Sequence, residues 1–142
     1  LNIGCGYGVI GISLAKKFTV AKVIGVDRDL LDVKYSNHNA KLSKVENFTA
    51  IPSLGIEAVK DQKFDLIISN IPAKINESAI EEEFIFAPLS ILNEGGEYWV
   101  VIVNDLNRYF IKLKHQDKIS LLEIKKRKGH IVYKLKPKNT PN

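Results

Sequence analysis

At 142 residues, with 45% hydrophobic and 26% charged side chains, the chain can build one layered core but not two ordinary domains, and it is too apolar to be disordered. A single cysteine excludes an internal disulfide framework, and no apolar run approaches the ~18–20 residues that span a bilayer. The net charge of +5 is uneven: from residue 112 onward ten Lys or Arg stand against two acids, whereas residues 1–111 carry −3.

Cys5 stands alone and His38, His115 and His130 are far apart, so no zinc site is expected. Nothing at the start resembles a signal peptide, and the single cysteine makes a reducing cytoplasm the expected compartment. Met is absent and residue 1 is Leu, so Leu1-Asn2-Ile3 reads as the tail of a strand in an N-terminally truncated chain.

In chain order, the glycine-rich Gly4-Cys5-Gly6-Tyr7-Gly8 leads into Val9–Ala15, with apolar residues at helical spacing. Lys22–Asp27 is a short apolar run ending in an acid, which suits a buried parallel strand. Leu30–Ser43 reads as a helix with Asp29 as its cap, and Phe48–Ile51 as a strand stopped by Pro52. Phe64–Ser69 is a further strand, closed by Asn70-Ile71-Pro72. Glu77–Phe86 reads as a helix that Pro88 kinks or restarts, and Asn93–Gly96 as a turn before the strong strand Glu97–Val103. Asn104 or Asp105 is expected to cap a helix reaching His115. Ile119–Ile124 and His130–Leu135 complete a hairpin across Lys125–Gly129, followed by a loose tail from Lys136, disordered at 139–142. Alternating strands and helices predict an α/β fold, Rossmann-like: a mostly parallel sheet with a C-terminal antiparallel hairpin and helices on both faces, forming one domain over residues 1–138. A ligand is expected beyond the carboxyl ends of the strands.

Glycines let the first turn bend sharply and approach a ligand, and the helix that follows offers unpaired N–H groups. Asp27 ends the next strand, where a carboxylate can accept both ribose hydroxyls. Together they point to a nucleoside-bearing cofactor. Gly6-x-Gly8-x-x-Gly11 formally matches the dinucleotide fingerprint and would imply NAD, but it starts three residues past the apolar stub. Gly4-x-Gly6-x-Gly8 fits the strand boundary better. A glycine turn that binds nothing is the bland alternative, and Cys5 reads as a small buried filler.

Leu1–Ala15, with its glycine turn, resembles the first motif of class I S-adenosylmethionine-dependent methyltransferases, and Asp27 matches that family's ribose acid. Asp65–Pro72 resembles the fourth motif, usually Asn-Pro-Pro-aromatic, of members that methylate amino nitrogens. The nearest group is the "methyltransferase small" domain, typified by ribosomal RNA guanine amino-methyltransferases; Asn39 and Asn93–Gly96 also resemble it. The resemblance implies S-adenosylmethionine as cofactor, held by Gly4, Cys5, Gly6, Gly8, Asp27, Arg28, Ser53 and Asn70. It implies catalysis at Asn70, Ile71 and Pro72, with ribosomal RNA as partner. Ile71 and Ala73 depart from the motif, and Ala73 cannot stack on a base. A non-catalytic cofactor- or RNA-binding module and a protein glutamine N-methyltransferase therefore stand as alternatives. The basic end suits RNA phosphates, or a lysine-rich edge that blocks strand pairing.

Overall fold

The computed structural model describes residues 1–138, and the chain divides into two compact units, residues 1–62 and residues 63 onward. In the first unit β1 (Asn2–Ile3), β2 (Val23–Asp27) and β3 (Phe48–Pro52) run parallel in the order β3-β2-β1, joined by α1 (Val9–Lys17) and α2 (Leu30–Leu42). Val23 to Val26 are all buried, as expected of a strand packed on both faces. Cys5, Ile12, Ala15, Val33, Ala40, Phe48 and Ala50 form the core with Val23. A Cβ on Gly11 would stand 2.5 Å from the Phe48 ring, so α1 approaches the strands closely only because residue 11 has no side chain.

Two asparagines fix this unit. The Asn47 amide donates to the carbonyls of Ala15, Phe18 and Ala21, tying together the end of α1 and the turn that follows it. The Asn37 amide exchanges two 2.9 Å bonds with the backbone of Ala50, standing in for a neighbouring strand. Pro52, expected to stop β3, is instead its last residue, opposite Asp27. Proline is tolerated there because β3 pairs on one side only within the unit and needs no further donor.

In the second unit β4 (Phe64–Asn70) and β5 (Leu92–Val103) are parallel, while β6 (Ile119–Arg127) and β7 (His130–Pro137) are antiparallel, in the order β4-β5-β7-β6. The pairings are those expected of the fold class: parallel up to an antiparallel C-terminal hairpin. Tyr98, Val100 and Ile102 of β5 are completely buried, as are Ile131 and Leu135 of β7. Phe110 of α5 (Asn104–His115) stacks on Tyr133, with ring centres 6.2 Å apart.

Several local expectations are corrected. The run expected as one helix from Glu77 is α3 (Glu77–Ala79), a π-helical stretch Ile80–Phe86, and then α4 (Ala87–Ser90), which Pro88 opens. Proline supplies no N–H to close an α-turn on the Phe84 carbonyl, and the buried Tyr98 hydroxyl donates to that oxygen at 2.7 Å. Asn93–Gly96 is an irregularity inside β5: Leu92 pairs with Phe64 and Glu97 with Leu66. Neither Asn104 nor Asp105 caps α5; its first N–H, on Asn104, donates to the Gly129 carbonyl at 2.9 Å. The hairpin strands extend to Arg127 and Pro137, leaving Lys128-Gly129 as the turn. Lys136 and Pro137 thus belong to β7 rather than to a tail, and residues 139–142 lie outside the described residues. No described helix is long and apolar enough to cross a membrane.

Candidate functional site

The glycine turn begins where β1 ends. Gly4 N and Cys5 N both donate to the Val26 carbonyl, which ties the turn to the end of β2. Gly4, Gly6 and Gly8 have φ of +67°, +52° and +88°, the left-handed region that L side chains rarely adopt. At Gly4 and Gly6 an added Cβ would point into open space, so conformation alone requires glycine there. At Gly8 it would stand 2.9 Å from Ile12 Cδ1 and 3.1 Å from Ser36 Oγ, so a side chain there would also crowd both.

Asp27 completes the loop. One carboxylate oxygen accepts from Gly6 N and the other from Asp29 N, each at 3.0 Å. Each oxygen keeps a further lone pair, the capacity needed to accept a pair of ribose hydroxyls. Asp29 caps α2 as expected, accepting from Leu31 N at 2.8 Å and Asp32 N at 3.4 Å. Asp32 is pushed above the usual carboxylate range, by desolvation first and then by the charges of Asp27 and Asp29. Arg28 is exposed.

Ser53 lies beside this acid, its N–H donating to the Asp27 carbonyl at 2.9 Å. Its hydroxyl donates to Gly55 O and accepts from Ala58 N, closing a turn into the short 3₁₀ segment Glu57–Val59. The hydroxyl proton is therefore committed locally. Cys5 is buried, and burial pushes its thiol pKa up, with a Ser36 contact at 3.6 Å only partly opposing it. It fills space and offers no thiolate.

Two groups on α2 hold the turn from behind. The buried Ser36 hydroxyl donates to Gly6 O at 2.6 Å, and Asn39 Nδ2 donates to Tyr7 O at 2.9 Å. Asn39 carried a family resemblance in the sequence; Ser36 did not. Their spacing, three apart on one helical face, was the only available signal.

The second group of candidates lies in the other unit. Asn70 ends β4 opposite Val101; its side chain is exposed and hydrogen-bonds to no described residue. Ile71 is 2% exposed, and its N–H donates to the Val101 carbonyl at 2.9 Å. Proline, usual at this motif position, could not make that bond, so isoleucine extends the β4–β5 ladder by one residue. Pro72 and Ala73 are exposed.

A family model described as the methyltransferase small domain matches residues 1–134. The chain belongs to that family. Its cofactor is S-adenosylmethionine, and its members are methyltransferases. The dinucleotide reading gives way accordingly, and Gly11 serves to seat α1 against Phe48. Uncharacterized protein YbxB of Bacillus subtilis is 29% identical over 96% of this chain and 68% of its own. The ribosomal protein L11 methyltransferase of Thermosipho africanus is 38% identical over 58% of this chain but 30% of its own. The chain thus spans about two thirds of the first relative and under a third of the second. The crystal structure of the ribosomal protein L11 methylase of Lactobacillus delbrueckii subsp. bulgaricus superposes with a TM-score of 0.77. It covers 96% of this chain and 67% of its own at 22% identity, and shows a shared fold. The methyltransferase small domain fits the residues present: an open turn with left-handed glycines, and an acid with spare acceptor capacity.

Proposed function

We propose that this methyltransferase small domain methylates a conjugated amino nitrogen, the exocyclic amine of a base (guanine) in ribosomal RNA, in the cytoplasm. The observation that carries the reading is Asn70: an exposed amide with no described partner, at the carboxyl end of β4 and two residues before a proline.

The glycine turn Gly4-Cys5-Gly6-Tyr7-Gly8 holds the amino-acid part of the cofactor, Asp27 its ribose, and Arg28 and Ser53 border its adenine. S-adenosylmethionine supplies a methyl group already activated on a sulfonium. An aromatic amine is a poor nucleophile because its lone pair is delocalised into the ring. Asn70 Oδ1 and the Ile71 carbonyl accept its two N–H bonds, which favours a more tetrahedral nitrogen. Pro72 keeps Ile71 extended, so the two acceptors stay spaced as one unit. When bound, the cofactor would give up its methyl by C–S cleavage as the N–C bond forms, and the surplus nitrogen proton would leave to water. Positioning supplies most of the acceleration, so no strong base is needed.

A second reading is methylation of a ribosomal protein. Ala73, which offers no face for a base to stack on, favours it, as does a relative named for ribosomal protein L11. Incubation with a radiolabelled methyl donor, unmodified ribosomal RNA and ribosomal proteins separates the two by where the label goes. Asn70→Ala is expected to slow transfer by ~10²-fold or more, far more than it weakens cofactor binding, which calorimetry reads separately. Unchanged turnover in that variant would overturn the assignment of Asn70.

A further inference from the structure

We propose that the tip of the β6–β7 hairpin, Lys125, Lys126, Arg127 and Lys128, is the platform that grips the phosphates of an RNA substrate beside the Asn70 corner. This rests on the RNA reading above and adds the element that recognises the strand.

Register places the tip. Asn70 pairs with Val101, Val101 with Val132, and Val132 with Lys125, so the four form one cross-strand row. Two residues further along, Val103 at the end of β5 pairs with His130, which pairs with Arg127. The basic tip therefore stands at the carboxyl end of β4 and β5, the end that carries Asn70. Three strand spacings separate Asn70 from Lys125, about 14 Å, so a strand held by the tip can present a neighbouring base to Asn70.

Six of the ten Lys and Arg from residue 112 onward make no ion pair among the described residues, and adjacency marks out the four at the tip. Lys112, Lys118, Lys134 and Lys138 each pair with a carboxylate: Glu77, Glu81, Glu97 and Asp117. Lys125, Lys126, Arg127 and Lys128 are exposed and make no ion pair among the described residues. Four adjacent uncompensated cations raise a local field that a polyanion relieves.

Edge protection explains their placement poorly. Lysines that guard an edge belong where apolar surface would recruit another strand. Yet Ile119–Ile124 carries no Lys or Arg, and Leu122 and Ile124 are 57% and 42% exposed there. The cations gather instead in the last three residues of β6 and the turn. The bulge at Ile124, where Glu123 pairs with Tyr133 and Lys125 with Val132, shifts the side-chain alternation just before them. Lys125 and Arg127 thereby share the sheet face of Asn70.

The test is binding of the whole protein to a fluorescently labelled single-stranded RNA at 50 and 200 mM salt. Release of counterions from four phosphates predicts that the native protein loses affinity by about 50-fold across that range. The variant K125Q/K126Q/R127Q/K128Q is expected to bind at 50 mM more than ~50-fold less tightly than the native protein, with a flat salt response and an unchanged melting temperature. K125R/K126R/K128R, which keeps the charge, is expected to retain native affinity. An affinity insensitive to salt, or a glutamine variant that binds like the native protein, overturns the platform. Methyl transfer run in parallel separates this failure from that of the parent reading. Methylated RNA with hairpin-independent binding overturns the platform alone, whereas label found only in protein overturns both.

Discussion

Asp27→Ala separates the structural task of this carboxylate, which holds the glycine turn, from the ribose-binding task proposed for it. Its oxygens accept from Gly6 N and Asp29 N, so removing it loosens the glycine turn before any cofactor is considered. The Gly6 bond is partly buried and the Asp29 bond exposed, so water replaces the second more readily than the first. Bonds to charged acceptors contribute ~1.5–3 kcal/mol each when buried and less at the surface, which puts the stability loss at about 2 kcal/mol. A melt should show it as a fall of roughly 6–8 °C. The loss of acceptors for the ribose hydroxyls is expected to weaken S-adenosylmethionine by a further ~1–3 kcal/mol, about 5- to 150-fold in dissociation constant. Calorimetry at a temperature where the variant is fully folded isolates that second number. A lowered melting temperature with native cofactor affinity would falsify the ribose assignment and leave Asp27 a structural residue.

Ser36→Ala removes the donor to Gly6 O and is expected to cost about 1 kcal/mol of stability while weakening cofactor binding severalfold, read by melt and calorimetry together. Gly11→Ala sets a methyl against the Phe48 ring and should destabilise by ~1–3 kcal/mol; the double variant with Phe48→Leu recovers part of this in a denaturant titration. Glu81 sits below the usual carboxylate range because Tyr109 donates to it and Lys118 pairs with it. Its folded pKa is the lower one, so its contribution is complete above the unfolded carboxylate range and fades as pH falls toward the folded value. Partial exposure limits that contribution to about 1 kcal/mol; Glu81→Gln should remove it at pH 7 and leave the melting temperature unchanged relative to native at pH 3.

What the linear chain determined is what local stereochemistry decides. Alternate glycines after a strand fix a left-handed turn because L side chains resist that backbone, and they do so wherever the chain folds. Asp29 before Leu30 caps a helix because its carboxylate reaches the next free N–H groups without help from afar. The apolar run ending at Asp27 announces a strand buried on both faces, with its acid at the strand's carboxyl end. The tertiary structure decided whatever depends on partners distant in sequence. Ser36 serves the turn only because α2 packs behind Gly6, thirty residues earlier. Ile71 became a ladder residue because Val101 offers a carbonyl to its N–H. Asn104 needed no side-chain cap because the hairpin turn brought it Gly129 O, and the π-helical stretch before Pro88 accompanies a bond from Tyr98 to Phe84 O. A buried donor or acceptor must be satisfied, and which atom satisfies it is settled by packing across the fold, not by neighbours in the chain.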